Sequence, residues 1–171
     1  MAPAPSKEWD LLMHLICNHI SFPSGFFDGA EKNGRCGCGV VLYIDAVVSY
    51  RIHWYEGMGT NTRAELVALW GLLLFIAEKQ VSVIHIYGDL KTIVDGFSDR
   101  SHFNLLELRY WRMCTSELLS IFQDYNIQQI FRESNSMVDL LSKHGLLDEE
   151  GYMLVSFLHG DAQGEDIFSL P

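Results

Sequence analysis

Four carboxylates stand beside apolar stretches in separated parts of the chain. Asp28 and Asp89 each end a run of apolar residues that is typical of a buried strand. Glu65 and Asp139 lie among apolar neighbours in two segments with helical spacing. A carboxylate on a buried face is costly unless it is paired, protonated or bound to a metal ion. Four such acids from four separated elements therefore predict one shared site.

The donor types indicate which class of ion such a site would hold. Oxygen ligands without cysteine or a histidine triad favour Mg²⁺ or Mn²⁺ over zinc. Cys36 and Cys38 form a C-x-C pair that lacks the usual zinc spacing and has no second pair. The cysteines are therefore interpreted as free thiols, with Cys114 expected to be buried.

Apolar spacing predicts the elements that would carry these acids. Strands are predicted over 22–28, over two segments of 40–56 that turn near Asp45, over 81–89 and over 127–132. Helices are predicted over 8–20, 60–79, through 93–97, over 104–124 and over 134–145, with a glycine-rich turn over 29–39. The helix over 60–79 is apolar on nearly every face, which predicts a central, buried position. Gly145 is expected to close the last helix. The order predicts an α/β domain with a mixed sheet covered by helices.

Length, charge and hydropathy limit the classes that remain. A chain of 171 residues fits one domain, and its net charge of −10 argues against broad electrostatic capture of nucleic acid. It leaves open a nucleic-acid enzyme whose site holds metal ions. The apolar run over 11–17 is too short to span a bilayer and follows acids rather than a basic flank. An intracellular protein, nuclear or cytoplasmic and without a membrane partner, is predicted.

Four motifs carry a resemblance to a known family. "FFDGA", "TNTRAEL", "YGDLKTIVD" and "RESNSMVD" occur in the order and rough spacing of type 1 ribonuclease H domains. They are most similar to those of plant non-LTR (LINE-type) retrotransposons and of plant proteins derived from them. The tail "FLHGDAQGEDIF" resembles the D-x-x-G ending of the same sequences.

The resemblance implies a domain organisation and a fold. It covers about 22–146, so we expect an N-terminal extension over 1–20 with a short helix, a ribonuclease H-like domain over 21–146 and a C-terminal extension over 147–171. The implied fold is a mixed five-stranded sheet, three antiparallel strands plus two parallel ones, flanked by helices.

The same resemblance assigns roles to the four acids in a two-metal-ion endonuclease that cleaves the RNA strand of RNA–DNA hybrids. Asp28 would be shared by two Mg²⁺ ions, for which Mn²⁺ is a substitute. Glu65 and Asp89 would hold the ion at the leaving 3′ oxygen, and Asp139 would complete the ion that carries the attacking water. Two ions about 4 Å apart suit in-line displacement, because both the entering and the leaving oxygen need charge compensation.

Substrate contacts are also implied by the resemblance. The backbone near Gly29 and Ala30, which follow Asp28, would track the RNA strand, and the 2′-hydroxyl groups would distinguish RNA from DNA. Thr60 and Asn61 match family positions that hold a phosphate of the DNA strand. These substrate-binding candidates are Gly29, Ala30, Asn33, Thr60, Asn61 and Asn135.

Two features depart from the family pattern. The loop before the last helix lacks the mobile histidine of the cellular enzymes and carries Arg132, Glu133 and Ser134 instead, which makes Glu133 a candidate accessory residue. Leu90 stands where the family often has serine. His144 is interpreted as a plain helix-end residue.

A rival hypothesis assigns the chain the same ribonuclease H-like fold without nuclease activity. Each acid alone has an interpretation without a metal: a turn or helix cap, a first-turn acid favoured by the helix dipole, or a solvated side chain. The net charge, the missing histidine and the apolar N-terminal segment favour a weak or inactive module that binds a protein or a nucleic acid. A reverse transcriptase context is a further implication, and the oligomeric state is left open.

Overall fold

Seven strands form one mixed sheet in the computed structural model, which describes residues 23–89, 106–130 and 135–170. The strands are β1 (Ser24–Lys32), β2 (Arg35–Tyr43), β3 (Val48–Met58), β4 (Val83–Gly88), β5 (Asp124–Gln129), β6 (Tyr152–His159) and β7 (Ala162–Ser169). The helices are α1 (Asn61–Glu78), α2 (Leu106–Ser120) and α3 (Ser136–Gly145). The predicted α/β class with a mixed sheet is confirmed.

The sheet order is β5-β4-β1-β2-β3-β6-β7. β4 runs parallel to both β1 and β5, and the other neighbouring pairs are antiparallel. The predicted count of five strands was therefore wrong. The segment 147–171, taken as an extension, supplies the hairpin β6–β7, whose first strand pairs along β3 from Val48↔His159 to Trp54↔Met153. Acids and glycine interrupt the apolar alternation of this segment, which hides its strands from a pattern search.

The glycine-rich turn predicted over 29–39 is also wrong. β1 and β2 continue as paired strands to Lys32 and Arg35, and the turn consists of Asn33 and Gly34, with φ of 54° and 81°. A two-residue hairpin turn of type I′ requires positive φ at both positions, which asparagine and glycine tolerate. The remaining glycines of this segment lie within the strands.

The α1 side of the sheet carries the larger apolar core. Thr60 caps α1 by accepting a hydrogen bond from the backbone N–H of Arg63 at 3.2 Å. Phe27 and Trp54 are fully buried in the cluster beneath this helix. Trp70 of α1 meets Trp111 of α2 edge to face at 5.0 Å, so the two helices pack together over this face. The predicted burial of the helix is confirmed.

On the opposite side α3 covers a smaller cluster around Phe26, Val41 and Leu141. The helix ends at Gly145, as predicted, but its C-cap is Leu146 in the right-handed region rather than a glycine in the left-handed region. A Cβ at Gly145 would lie 2.4 Å from the carbonyl oxygen of Trp54, so this glycine permits close approach of α3 to β3.

Two smaller expectations have mixed outcomes. Cys36 and Cys38 are buried free thiols, whereas Cys114 is partly exposed, contrary to expectation. None of the helices in the described residues is long and apolar enough to cross a membrane. The helices predicted over 8–20 and through 93–97, together with Leu90 and Glu133, lie outside the described residues.

Candidate active site

Asp28 and Asp139 meet because α3, which carries Asp139, crosses the sheet beside Asp28. Asp28 pairs in register with Gly39 of β2. A Cβ at Gly39 would lie 2.5 Å from the backbone nitrogen of Ser142, so only glycine lets α3 settle here. Ser142 Oγ donates to the carbonyl of Asp139 at 2.8 Å and lies 3.4 Å from Asp28 Oδ2. Neither Ser142 nor Gly39 was singled out from sequence, although the alternating glycines of "CGCGV" are a signal for close helix approach.

Asp28 is a largely buried carboxyl group that also lies against a second carboxylate. Burial, and after it the negative charge of Asp139, raises the pKa of Asp28 from 3.8 to about 7. A hydrogen bond with the Asp139 side chain raises the pKa too, whereas the backbone N–H of Gly29 and the Ser142 hydroxyl lower it. Near neutral pH the Asp28 carboxyl group is therefore protonated part of the time, and a cation would relieve the same repulsion.

Asp139 also has a basic partner on its own helix. Lys143 Nζ lies 2.8 Å from Asp139 Oδ2, with side-chain exposures of 62% and 49%. An exposed pair at this helical spacing contributes only about 0.2–0.5 kcal/mol, so it does not hold the carboxylate in place. Asp139 thus remains able to exchange its ammonium partner for another cation.

Asp89 follows β4 on the strand next to Asp28. β1 and β4 are parallel, with Phe26 opposite Tyr87 and their rings stacked at 5.2 Å. Continuing this register by two residues places Asp89 beside Asp28 on the same face, because side chains alternate along a strand. Gln129 of β5 donates from Nε2 to Asp89 Oδ1 at 3.1 Å, which orients this carboxylate.

Glu65 is held close to the same strand by the packing of α1. A Cβ at Gly29 would lie 2.3 Å from the backbone nitrogen of Glu65, so the strand residue after Asp28 touches the helix backbone. The Glu65 side chain is 5% exposed and accepts a hydrogen bond from Asn61 Nδ2 at 3.3 Å. Asn61, which is exposed at the start of α1, therefore also orients the Glu65 carboxylate.

The remaining candidates are distributed around these acids. Thr60 and Asn33 are exposed, the first at the α1 N-terminus and the second in the β1–β2 turn, and Ala30 is half-buried. Asn135 is 7% exposed and donates from Nδ2 to the carbonyl of Phe27 at 3.4 Å. Its Oδ1 is buried and meets no hydrogen-bond partner in the described part of the chain. Asn135 thus ties α3 to the strand residue before Asp28.

The donor set fits a hard divalent cation in type. The side chains that contact Asp28, those of Asp139 and Ser142, carry oxygen donors, and mutual repulsion of two carboxylates is the state that Mg²⁺ or Mn²⁺ would relieve. Within residues 23–89, 106–130 and 135–170, no group of three or more acidic, histidine or cysteine side chains stands ready to hold a metal ion. The convergence of all four acids on one pair of metal ions remains a prediction.

An acid pair beside the parallel neighbours β1 and β4, in a sheet that continues from β1 through antiparallel strands, is the arrangement of ribonuclease H-type α/β domains. The chain belongs to the reverse transcriptase-like family, whose model matches residues 26–145.

Solved structures share the fold. The RNase H1 of the archaeon Halobacterium salinarum is 28% identical with a TM-score of 0.64, over 74% of this chain and 98% of that one. The N-terminal RNase H domain of a Mycobacterium tuberculosis protein is 20% identical with a TM-score of 0.61, over 72% and 94%. LC11-RNase H1, solved with an RNA/DNA hybrid, is 18% identical with a TM-score of 0.62, over 72% and 95%. No curated protein sequence matches the chain.

Proposed function

We propose that the protein is a metal-dependent endonuclease that hydrolyses the RNA strand of RNA–DNA hybrids. The observation that carries the proposal is the contact between Asp28 of β1 and Asp139 of α3, with Asp89 on the adjoining parallel strand. The likeness to structures named RNase H1, one of them bound to an RNA/DNA hybrid, supports the same substrate class.

Asp28, Glu65, Asp89 and Asp139 would hold two Mg²⁺ ions, with Mn²⁺ as a substitute. When bound, such ions compensate charge on the entering and leaving oxygens of a phosphodiester and make water a better nucleophile. Solvent water can reach the half-exposed Asp139 carboxylate, whereas the Glu65 carboxylate is buried away from solvent.

Other residues of the chain bind and orient the substrate in this proposal. Thr60 and Asn61 present polar side chains and the first free backbone N–H groups of α1, which suit a phosphate of the DNA strand. The backbone around Gly29 and Ala30 would follow the RNA strand, and Asn33 would assist from the neighbouring turn. Asn135 fixes the start of α3, so that Asp139 keeps its position beside Asp28.

The test is cleavage of an end-labelled RNA–DNA hybrid with Mg²⁺ or Mn²⁺, beside an Asp89→Asn variant and an Asp166→Asn control. Asp166 lies exposed on β7, so the same chemical change there leaves the site intact. We expect the parent and Asp166→Asn proteins to cut and Asp89→Asn to fail. Cleavage by Asp89→Asn at the parent rate would assign the activity to a contaminant or another site.

A second candidate function is a non-catalytic module of the same fold that binds a protein or nucleic acid. The Lys143–Asp139 ion pair favours it, because Lys143 already supplies a positive charge at the last acid. A melting-temperature titration with Mn²⁺ separates the two candidates, since ions that bind the native state stabilise it. An enzyme should gain stability with Mn²⁺; an unchanged melting temperature together with no cleavage would favour the module.

We also propose a natural context, which rests on the sequence motifs alone. Their similarity to plant LINE-type retrotransposon domains supports an origin in such an element, with a reverse transcriptase or another protein as the partner.

A further inference from the structure

β7 is the last strand at one end of the sheet. Seven of its eight residues are exposed, and the other, Gly164, is half-buried. Ile167 and Phe168 are 67% and 44% exposed, although both are large apolar side chains. An edge strand whose apolar side chains are open to solvent is a surface on which another strand can pair.

The outer edge of β7 offers backbone donors and acceptors at alternate residues. β6 and β7 join through a two-residue turn, so Ala162, the first residue after the turn, directs its backbone groups towards β6. Leu170, an even number of residues further on, donates its backbone N–H to the carbonyl of Gly151 at 2.8 Å, in the same phase. Because the direction alternates along an antiparallel strand, the N–H and C=O groups of Glu165 and Ile167 point away from β6. β7 can therefore accept one further strand without losing its pairing to β6.

Charge decides which kind of segment fits this edge. Glu165 and Asp166 are consecutive exposed residues of β7, so their side chains lie on opposite faces of the sheet. Neither forms an ion pair within the part of the chain that the structure describes. The sequence over 144–171 holds six acids and no lysine or arginine. The edge therefore attracts a basic segment and repels the phosphates of a nucleic acid.

The same two acids disfavour pairing with a second copy of this chain. Full antiparallel overlap of two β7 strands would set Glu165 of each copy opposite Asp166 of the other, and parallel overlap would set each acid opposite itself. Like charges directly opposite one another destabilise a sheet, and charged edge residues are a common means of preventing self-association. The segment that fits is therefore part of a different protein.

The side chains of β7 also specify the order of residues in such a segment. Phe168 lies opposite Met153, a residue of the core on the α1 side. Asp166 shares this face, whereas Glu165 and Ile167 point to the other. Each face thus offers one acid and, two residues further on, one large apolar side chain. An antiparallel strand, which is the more stable pairing, matches these positions in the order apolar, apolar, basic, basic.

We propose that the outer edge of β7 is a docking site for an extended segment of a partner protein, in which two apolar residues are followed by two basic residues. The segment adds to the sheet as an antiparallel strand beside β7. Main-chain hydrogen bonds to Glu165 and Ile167 supply the affinity, and the two acids supply the selectivity. β7 lies four strands from β1, or about 19 Å, so binding there requires neither the candidate active site nor nuclease activity.

The test titrates the full-length chain with the synthetic peptide acetyl-Thr-Val-Val-Lys-Lys-Thr-amide and follows amide hydrogen exchange by NMR. We expect the backbone amides of Glu165 and Ile167 to exchange at least about tenfold more slowly with saturating peptide, because the added strand hydrogen-bonds them. A peptide with glutamates in place of the two lysines is the control and should leave the exchange rates unchanged.

Variants of the chain separate the contribution of charge from that of backbone pairing. Glu165→Lys with Asp166→Lys should weaken peptide binding at least about tenfold, whereas Glu149→Lys with Glu150→Lys, the same change at exposed acids outside the strand, should keep it within about threefold. Ile167→Pro removes one outward N–H and should weaken binding at least about tenfold, whereas Ile167→Val should not. If Ile167→Pro fails to fold, the charge-reversed variant carries the test.

Four outcomes would overturn the proposal. They are binding of the lysine peptide weaker than about 1 mM, equal protection by both peptides, protection of β5 instead of β7, and equal losses of affinity in the two charge-reversed variants. Protection of β7 without peptide that grows with protein concentration, together with a dimer in light scattering, would also overturn it, because the edge would then pair with a second copy.

Discussion

The two faces of the sheet are built by different means. On the α1 side, side chains interlock in a large apolar cluster that includes Phe27, Leu72 and Trp54. On the α3 side, the helix approaches the strands through glycines, at Gly37 and Gly39, and its backbone touches theirs. The α1 face therefore resembles an ordinary core, whereas the α3 face brings a helix close enough for polar side chains to meet.

The difference explains where the candidate chemistry lies. A tightly packed apolar face has no room for a carboxylate pair, because burying charge among apolar atoms is costly. The glycine-lined crossing of α3 sets Asp139 beside Asp28 at the border of the packed region, partly open to solvent. Packing on the α1 face thus stabilises the sheet, with one close backbone contact at Gly29 that holds Glu65 near the site. On the α3 face, close backbone contact along the helix positions Asp139.

The largest expected effect tests the chemistry assigned to the α3 face. Asp89→Asn should lower hybrid cleavage roughly 1,000-fold, the scale seen when one preorganised electrostatic group is removed from an active site. The fold should remain, since Asp89 lies after the end of β4 and is partly exposed. Initial cleavage rates and far-ultraviolet circular dichroism measure the two parts. A rate within a factor of about three of the parent, together with native dichroism, would remove Asp89 from the site.

The next test compares backbone contact with side-chain contact directly. A Cβ at Gly39 would meet the α3 backbone at 2.5 Å, whereas a Cβ at Gly25 would meet the end of the Leu72 side chain at 2.8 Å. Because a side chain can rotate and a helix backbone must shift bodily, Gly39→Ala should destabilise by about 3 kcal/mol and Gly25→Ala by about 1 kcal/mol. Urea unfolding of both variants gives the two free energies. Equal losses would mean that the two faces tolerate overpacking alike.

A smaller effect concerns the pH dependence of stability in metal-free buffer. The raised pKa of Asp28 means that the folded state binds more protons than the unfolded state between pH 3.8 and about 7. The stability that Asp28 contributes is fully present below pH 3.8 and is lost as the pH rises through about 7. We expect a loss of about 1–2 kcal/mol over this window, because a tenfold change in proton affinity corresponds to about 1.4 kcal/mol and solvent screening reduces the total.

Asp28→Asn should remove this component of the pH dependence and make the metal-free protein more stable than the parent at about pH 8. Free energies of unfolding between about pH 4 and pH 8, for the parent and for Asp28→Asn, provide the comparison, with Asp166→Asn as the control. A parent whose stability rises over the window while that of Asp28→Asn does not would contradict the assigned repulsion.

The smallest expected effect belongs to the exposed rim of the α3 face. Lys143→Gln should change the free energy of unfolding by less than about 0.5 kcal/mol, because both partners of its ion pair with Asp139 are largely hydrated. Lys32→Gln, at an exposed strand end, is the matched control. Thermal melting at low and high salt measures both. A loss of several kcal/mol in Lys143→Gln alone would make the rim as important to stability as the packed faces.

Local pattern was enough to place most elements and all four acids. The helix over 60–79 and the strand over 81–89 were predicted within two residues, because hydrophobic period and cap residues such as Thr60 are properties of neighbouring residues. The positions of Asp28 and Asp89 at strand ends, and of Glu65 and Asp139 within helices, follow from the same local rules, although Asp28 lies inside β1 because that strand is longer than expected.

Only the tertiary structure decided the features that depend on distant partners. The hairpin β6–β7 has a weak pattern of its own and exists as two strands because the free edge of β3 accepts it. Gly145 has the sequence position of a helix cap, yet its role is to let α3 pack against the backbone of Trp54, which is distant in sequence. The contact of Asp28 with Asp139 depends on where α3 crosses the sheet, and that crossing is set by backbone contact at Gly39. Sequence spacing records what each residue is near along the chain, whereas packing between elements determines which side chains finally touch.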